Sequence, residues 1–179
     1  PTVTIEVGAT YTDQGATALD NFDGDITSSI VEVSTVDNLI VGTYTVTYNV
    51  TDANGNAAVE VIRTVIVVDT TVPVITLTGN PTVTIEVGAT YTDQGATATD
   101  NLDGDITSSI VTLSTVNTAI VGVYTVSYNV SDANGNAAAE VTRTRVNVVD
   151  TTVPVITLTG NATVTIEVGA TYTDQGATA

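Results

Sequence analysis

The stretch "YTVTYNV" at residues 44–50 alternates apolar and polar side chains without interruption. Its apolar members all fall on one face of an extended chain: Tyr44, Val46, Tyr48 and Val50. Valine, threonine and tyrosine are residue types that suit a pleated, half-buried surface. The stretch therefore predicts a β-strand with one face in a hydrophobic core.

The same alternation continues in both directions from this strand, for example in "TVTIEV" at residues 2–7. No stretch has the periodicity of a helix, so we predict an all-β fold. Six or seven short strands in about 80 residues, separated by glycine and asparagine, predict a β-sandwich. In one full period we place strands near residues 73–78, 82–87, 94–99, 108–115, 123–131 and 137–148, with a further short strand as an option near 118–121.

A glycine stands two residues before a tyrosine at the start of a late strand, in "GTYTV" at 42–46 and in "GVYTV" at 122–126. This arrangement is typical of a tyrosine corner, in which the hydroxyl bonds to the backbone a few residues upstream. Tyr44 and Tyr124 would also serve as plain core aromatic residues, and the two interpretations are compatible.

The sequence is a tandem repeat. The segment "TVTIEVGATYTDQGATA" occurs at 2–18, 82–98 and 163–179, with offsets of 80 and 81 residues. This period is the size of one small β-domain, which indicates a row of beads rather than a solenoid of short repeats. The extra residue of the second offset lies between Arg143 and Asp150. Because a slip of one position turns every later side chain to the opposite face, we expect a bulge in the last strand or a longer linker.

The domain boundaries are predicted at the motif "VVDTTVP", around Asp69 and Asp150. A proline soon after a polar Asp-Thr-Thr turn indicates a linker that enters an edge strand. On this phasing, residues 1–69 are a first repeat that lacks its opening strand, residues 70–149 are a complete second repeat, and residues 150–179 begin a third. We expect the chain to be a segment of a longer array.

The composition limits the kinds of partner. The 179 residues carry 20 acidic side chains against 3 arginines, for a formal net charge of −17, with no lysine, histidine or cysteine. Such a surface repels phosphate backbones and anionic membranes, so we expect no nucleic-acid partner and no membrane insertion. No apolar run approaches the ~18 residues of a transmembrane helix. Because 42% of the residues are hydrophobic and alternate with polar ones, we expect a folded chain.

Several motifs, taken in order, resemble those of the bacterial surface immunoglobulin-like domain family and, more distantly, of hyalin-repeat domains. They are "DTTVPVITLTG", "YTDQGA", "DNLDGDIT", "GVYTVSYNVSDANGNAA" and "RTRVNVV", and with their copies they cover essentially the whole chain. The resemblance implies tandem immunoglobulin-like β-sandwich repeats of about 80 residues on a large secreted or surface-anchored bacterial protein. It implies an extracellular location and no particular ligand.

Negative charge is concentrated in two copies of one loop, "DNFDGDIT" at 20–27 and "DNLDGDIT" at 100–107. The loop is not an EF-hand, because placing Gly24 at the sixth position puts Leu19 at the first and Ile30 at the twelfth. Carboxylates this close repel one another unless a cation neutralises them. Oxygen ligands without histidine or cysteine favour Ca²⁺, then Mg²⁺, and argue against zinc or copper.

A second polar loop, "DANGN", occurs at 52–56 and 132–136 and on its own is a common hairpin turn. In an immunoglobulin-like sandwich this loop, the acidic loop and the start of the first strand lie at the same pole. That convergence requires residues 73–78 and 82–87 to be one split strand. A tight hairpin at "GNP", residues 79–81, would separate the linker from the acidic loop. The family resemblance favours the split strand.

The candidate metal ligands are the acidic and amide residues of these loops and of the linker. In the first repeat they are Asp20, Asp23, Asp25 and Asp52. In the second they are Asp69, Asp100, Asp103, Asp105 and Asp132, with Asn136 or Asn134. Our hypothesis is a calcium ion at each junction between domains that stiffens the array. The alternative is that the acidic loops are solvated and only keep the protein soluble.

Three classes of function compete at this point. The first is structural: a spacer or stalk of a bacterial surface adhesin or extracellular fibre, whose partners are neighbouring repeats. A variant is a self-assembling filament of copies joined by strand donation, because the first repeat lacks its opening strand and the tail carries a spare "VPVITLTG" at 153–160. A window cut from a longer array explains the tail more simply, because the tail also carries 163–179, which duplicates 2–18. The second is a glycan- or ice-binding module with a threonine-rich face, although threonine is a common exposed strand residue. The third, an enzyme, is not expected, because the chain has no histidine, lysine or cysteine and no long loop.

Overall fold

The computed structural model of the protein describes all residues, 1–179. The fold is all-β, as predicted, and its helical residues are two single turns of 3-10 helix, Thr27–Ser29 and Thr107–Ser109. No helix is long and apolar enough to cross a membrane. The chain divides into two compact units. One contains Pro1–Asn80, Gln94–Leu113 and Ser127–Thr142, and the other contains Pro81–Asp93, Ser114–Val126 and Arg143–Ala179.

The first repeat contains six strands: β1 (Thr2–Glu6), β2 (Leu19–Asp20), β3 (Gly24–Asp25), β4 (Val31–Ser34), β5 (Gly42–Asn49) and β6 (Val61–Val68). Four of them form a sheet in the order β1–β6–β5–β4. In this sheet β1 runs parallel to β6, whereas the other neighbours are antiparallel. The remaining two strands, β2 and β3, form a short antiparallel pair.

The following residues contain seven further strands: β7 (Val74–Leu77), β8 (Thr82–Glu86), β9 (Ala96–Asp100), β10 (Gly104–Asp105), β11 (Val111–Ser114), β12 (Gly122–Asn129) and β13 (Val141–Val149). They form a three-stranded sheet, β10–β9–β7, and a four-stranded sheet, β11–β12–β13–β8. After Asp150, the tail contributes β14 (Thr157–Leu158) and β15 (Ala177–Thr178), which pair with each other. The domain boundaries predicted at Asp69 and Asp150 stay a prediction.

The first strand of the second repeat is split, which the predicted convergence of the linker and the two polar loops requires. Strand β7 pairs antiparallel with β9, whereas β8 pairs in parallel with β13. The two halves therefore belong to different sheets, and residues 79–81 are not a tight hairpin between them. Gly79 lies at this break with φ +77°, a backbone conformation that residues other than glycine rarely adopt.

The inserted residue is absorbed inside the last strand. Thr2 pairs with Thr64 in the first repeat, whereas its equivalent Thr82 pairs with Arg145, so β13 has nine residues where β6 has eight. Arg143 and Val146 are both buried, and the two residues between them are both exposed. This is the pattern of a β-bulge, one of the two expected outcomes, and it restores the register of the buried valines that follow.

The predicted strands were right in type and less accurate in extent. Residues 118–121 form a turn rather than a short strand, because the Asn117 side chain accepts the N–H of Ala119 at 3.0 Å. The predicted strand at 108–115 begins only at Val111, since a 3-10 turn precedes it. The last predicted strand begins at Val141, and before it residue Ala137 makes only an isolated bridge.

The strand that decided the fold does bury one face. Val46 is 0% exposed and Tyr48 is 5% exposed, and both pack with Val65 of β6. The tyrosine corner is confirmed in both repeats. Tyr44 donates its hydroxyl to the carbonyl of Ile40 at 2.8 Å, and Tyr124 does the same to Ile120 at 2.8 Å.

A network of polar groups lies beside the core of the first repeat, around Asp13 of "YTDQGA". This carboxylate accepts hydrogen bonds from the hydroxyls of Tyr11 and Tyr48, from Gly15 N–H at 2.6 Å and from Arg63 at 2.6 Å. Burial acts to raise the pKa of Asp13, but these hydrogen bonds outweigh it and lower the pKa to about 2. Burial and the bond to Asp13 also raise the pKa of Tyr48 to about 12.

The second repeat has an equivalent ion pair. Arg143 Nε donates to Asp93 at 2.9 Å, and the hydroxyl of Tyr91 donates to the same carboxylate at 2.9 Å. The side chain of Arg143 is 0% exposed and that of Asp93 is 24% exposed. Because a desolvated charge is costly without its partner, this pair holds the segment after β8 to the last strand.

We expect acid to weaken the Asp13 network. The folded state holds Asp13 as a carboxylate to about pH 2, whereas the unfolded chain takes up a proton near its ordinary pKa of 3.8. The stability that this group provides is therefore present above about pH 4 and is lost as the pH falls toward 2. The difference in free energy of unfolding between the native chain and Asp13→Asn should shrink by on the order of 1 kcal/mol across this window.

Urea denaturation at a series of pH values, followed by far-UV circular dichroism, would measure that difference. Using the difference between two proteins removes the contributions of the other carboxylates, which both proteins share. The measurements should start at about pH 5, one unit above the window, and end at about pH 2. A difference in free energy of unfolding that stays constant over this range would contradict the assignment.

Candidate metal site

Three carboxylates meet at the end of β6. The side chains of Asp69, Asp100 and Asp132 each place an oxygen within 4.8 Å of the others. Asp69 is 7% exposed and Asp132 is 8% exposed, so two of the three are buried. The linker, the end of β9 and the "DANGN" loop each supply one of them, which is the set of segments that the sequence predicted to converge.

The "DANGN" loop holds its own aspartate in place. Asp132 Oδ1 accepts the N–H groups of Asn134 at 2.9 Å and Asn136 at 2.7 Å, and its Oδ2 accepts Asn136 Nδ2 at 2.7 Å. Burial acts to raise the pKa of Asp132, but these hydrogen bonds outweigh it and leave the pKa below its ordinary value. The loop therefore keeps a buried carboxylate charged.

The same loop also holds the linker. Asn134 Nδ2 donates to Asp69 Oδ2 at 3.0 Å, and Asn136 Nδ2 donates to the carbonyl of Asp69 at 3.1 Å. Both amides use their nitrogen for these bonds, which leaves their oxygens as further neutral ligands. Asn134 and Asn136 thus both contact the linker aspartate, and their role as ligands stays a prediction.

One oxygen of the site has no partner. Asp100 Oδ2 accepts Leu102 N–H at 2.8 Å and Asp103 N–H at 3.0 Å. Asp100 Oδ1 is buried and is without any hydrogen bond. A buried acceptor that lacks a donor is rare and costly. Here the carboxylate of Asp100 also lies close to the negative charges of Asp69 and Asp132. The donor set, three carboxylates with amide oxygens nearby, fits a hard cation such as Ca²⁺.

Neither of the two arginines with an ion pair neutralises a carboxylate of this site. Two of the three arginines of the chain, Arg63 and Arg143, are paired with Asp13 and Asp93 instead. Two unit charges about 5 Å apart repel by about 3 kcal/mol at an effective dielectric constant of ~20. A bound cation would turn that repulsion into attraction.

The first repeat has a related but more open group. Asp20, Asp23 and Asp52 approach within 4.8 Å of one another, and all three are half-buried. Asp20 Oδ1 accepts the N–H groups of Phe22 at 2.8 Å and Asp23 at 2.9 Å, and these bonds lower its pKa. This group contains no linker aspartate, in contrast to the second repeat.

The remaining predicted ligands point elsewhere. Asp25 and Asp105 are exposed, and each accepts the N–H of a threonine two residues later, at 3.0 Å for Thr27 and 2.9 Å for Thr107. Asp103 accepts Ala133 N–H at 2.7 Å and so joins the acidic loop to the "DANGN" loop. The structure therefore brings together three of the five carboxylates that the sequence suggested for the second repeat.

Sequence reasoning missed a contact that holds the linker from the other side. Glu6 accepts hydrogen bonds from the N–H and the hydroxyl of Thr70, both at 2.8 Å, and from the same groups of Thr71. The bonds from the Thr70 N–H and hydroxyl lower the pKa of Glu6. Glu86 binds Thr151 and Thr152 in the same way. The signal was available, since a glutamate interrupts the otherwise neutral "TVTIEV" in each copy.

Comparison with known proteins gives relatives outside and inside the bacteria. The chain is 34% identical over 140 residues to hyalin of Strongylocentrotus purpuratus, which covers 75% of this chain and 12% of hyalin. It is 33% identical over 153 residues to the pesticidal crystal protein Cry22Aa of Bacillus thuringiensis, which covers 76% of this chain and 20% of that protein. The chain thus spans a fifth or less of the length of these relatives.

Two solved structures are similar over less than half of the chain. The lipoprotein BT2262 of Bacteroides thetaiotaomicron is 28% identical, with a TM-score of 0.40 over 46% of this chain and 40% of that one. A structure of the CBM51-2 and INT domains of ZmpB from Clostridium perfringens, in complex with GlcNAc, is 27% identical, with a TM-score of 0.34 over 44% of this chain and 19% of that one.

A family model fits both repeats. It describes the immunoglobulin-like domain of bacterial surface proteins, and it matches residues 1–67 and again residues 75–148. These two segments contain the tyrosine corners, the acidic loops and all but the first residue of the split strand. On this match, the chain belongs to the bacterial surface protein immunoglobulin-like domain family.

Proposed function

We propose that this chain is a structural segment of an extracellular bacterial surface protein, a spacer or stalk whose junctions between repeats are stiffened by calcium. Its role is mechanical rather than enzymatic, and its immediate partners are the neighbouring repeats. The single observation that carries the proposal is the buried, unpartnered Asp100 Oδ1 within a group of three carboxylates.

The position of this group supports a stiffening role. Asp69 directly follows β6, the last strand of the first repeat, whereas in the second repeat Asp100 ends β9, where the acidic loop begins, and Asp132 belongs to the "DANGN" loop. A cation held by all three would join the linker to both loops at once. Glu6 already holds the next two linker residues by hydrogen bonds, so the linker is restrained on two sides.

We expect millimolar calcium to raise the stability of the chain. Extracellular calcium modules often bind with dissociation constants of 10⁻⁴–10⁻³ M, roughly the level of calcium outside cells. With one such site, about 10 mM calcium would stabilise the folded chain by between about 1.4 and 2.7 kcal/mol. Differential scanning calorimetry in calcium and in EDTA would measure the corresponding rise in melting temperature.

Two matched variants test which loop residues are responsible. Asp100→Asn removes one charge of the group and should abolish most of the calcium-dependent rise. Asp105→Asn makes the same change in the same loop, but at an exposed residue outside the group, and should leave the rise intact. No rise in melting temperature for the native chain, or an equal loss in both variants, would contradict the proposal.

Stiffening itself is tested by limited proteolysis of the linker. If the cation restrains the linker, cleavage between Asp69 and Val72 should be slower in calcium than in EDTA for the native chain. In Asp100→Asn the two rates should be equal. The solvated-loop alternative predicts equal rates in both proteins.

A further inference from the structure

Two strands of the second repeat, β8 and β13, are parallel neighbours. They pair over five residues, from Thr82 opposite Arg145 to Glu86 opposite Val149. The ladder continues past β8, since Val87 N–H donates to the carbonyl of Val149 at 2.7 Å. The chain therefore enters β8 at one end of this ladder and leaves β13 at the other end.

This arrangement decides how the pair responds to tension. A pull on the chain before Thr82, with an opposite pull on the chain after Val149, draws β8 and β13 past each other along their length. The evenly spaced hydrogen bonds of a parallel ladder then carry the load together, in shear. If the same two strands were pulled apart from one end, the bonds would break one at a time. The observed pairing therefore resists tension along the chain better than it would resist peeling.

Strand β8 depends on this ladder to stay in its sheet. It lies at the edge of the order β11–β12–β13–β8, where β13 is its one neighbour. Strand β13 is held more firmly, because it has β12 on its other side and buries Val146 and Val148 at 0% and 1% exposure. Tension on β8 therefore acts first on its hydrogen bonds to β13.

A glutamate strengthens the end of the ladder at which the chain leaves. Glu86, the last residue of β8, accepts the N–H of Thr151 at 2.7 Å and its hydroxyl at 2.8 Å. It accepts the same two groups of Thr152 at 3.2 and 3.1 Å. The bonds from the Thr151 N–H and hydroxyl lower the pKa of Glu86. Hydrogen bonds to an ionised carboxylate are roughly twice as strong as those between neutral groups.

The first repeat has the same arrangement. Strand β1 pairs in parallel with β6 over five residues, and Glu6 holds Thr70 and Thr71 by the four equivalent bonds. A second repeat follows Thr70 and Thr71 in the chain. The contact of the glutamate with the two threonines is therefore a property of each repeat and its own linker, whatever comes after the linker.

We propose that β8 and β13, together with Glu86 and the two threonines that it holds, form a clamp that carries tension along the array. Strands β1 and β6 form the same clamp with Glu6 in the first repeat. This inference rests on the spacer or stalk role proposed above, because only a chain that is held at both ends bears tension. The clamp itself contains no cation ligand of the group Asp69, Asp100 and Asp132, so it acts with or without calcium.

Single-molecule pulling in two directions would test the clamp, because a chain without cysteine accepts handles at chosen positions. Handles at Pro81→Cys and Val153→Cys draw β8 and β13 past each other. Handles at Thr90→Cys and Val153→Cys separate the two strands from the end that carries Glu86. All three positions are exposed. At equal force, we expect the second direction to unfold the repeat at least about a hundredfold faster, because the first must break several hydrogen bonds at once.

Two matched variants, pulled in the first direction, test the glutamate. Glu86→Ala removes the four bonds to the linker and should make unfolding under load about tenfold faster. Glu140→Ala is the control, because it removes the same charge from the same repeat together with a hydrogen bond from Asn129 at 2.9 Å, outside the clamp. We expect this control to change the rate by about threefold or less.

All of these measurements are made in EDTA, so their outcome does not depend on calcium binding. Equal unfolding rates in the two directions, or equal effects of Glu86→Ala and Glu140→Ala, would overturn the clamp. Either result would leave the calcium-stiffened spacer to be decided by the melting and proteolysis experiments above. Conversely, a chain that gains no stability from calcium but unfolds more slowly in the first direction would retain the clamp and lose the metal site.

Discussion

Replacing Arg143 with methionine is expected to lower the free energy of unfolding by about 3–5 kcal/mol, the typical cost of removing one partner of a buried ion pair. The guanidinium is 0% exposed and bonds to Asp93 at 2.9 Å. Methionine has similar length and can fill the space, so the loss reports mainly on the charge left behind on Asp93. The pair differs in this respect from a surface salt bridge, which contributes about 1 kcal/mol or less.

The neighbouring Arg145 provides the control. It lies in the same strand and is exposed, so Arg145→Met removes the same charge from the chain without disturbing a buried pair. We expect this variant to change stability by about 0.5 kcal/mol or less. Urea denaturation followed by tyrosine fluorescence would compare the two. Equal losses would show that the loss of positive charge from an acidic protein, rather than the buried pair, determines stability.

A double variant adds a chemical test of the ion pair between Arg143 and Asp93. Asp93→Asn in the Arg143→Met background removes the orphaned carboxylate and should recover part of the lost stability. The double variant should therefore unfold at a higher urea concentration than Arg143→Met alone. Additive losses of the two changes would mean that the groups do not interact.

The strands and their sheets could be predicted because alternation is a local property of the chain. Tyr44 and Val46 belong to a run whose two faces differ in polarity, and such a run can bury only one of them. Alternation did not determine whether the extra residue of the second repeat lies in the last strand or in the linker. A bulge and a longer linker both restore the alternation, and only the pairing of Thr82 with Arg145 distinguishes them.

The metal-site residues show where local reasoning stops. The topology predicted which loops approach one another, and Asp69, Asp100 and Asp132 do meet. Within each loop, however, a carboxylate can turn toward a nearby backbone N–H instead, as Asp105 does toward Thr107. Sequence spacing gives no preference between these two orientations. The ion pairs are even harder to predict from local sequence, since Asp13 and Arg63 are 50 positions apart.

Replacing Ile75 with alanine is expected to cost about 2–4 kcal/mol, the usual range for an isoleucine in a core. Its strand, β7, has four residues, and Ile75, 8% exposed, is the buried one among them. The repeated sequence contains the matched control. Ile156 has the same neighbours in sequence but is 73% exposed, so Ile156→Ala should change stability by about 0.5 kcal/mol or less in dilute solution.

Comparing these two variants separates the sequence of the strand from its surroundings. Both remove the same atoms from the same motif, so any difference between them arises from the surroundings of the side chain. Urea denaturation would measure the difference in free energy of unfolding. If Ile75→Ala and Ile156→Ala were equally mild, β7 would not be part of the core of the second repeat.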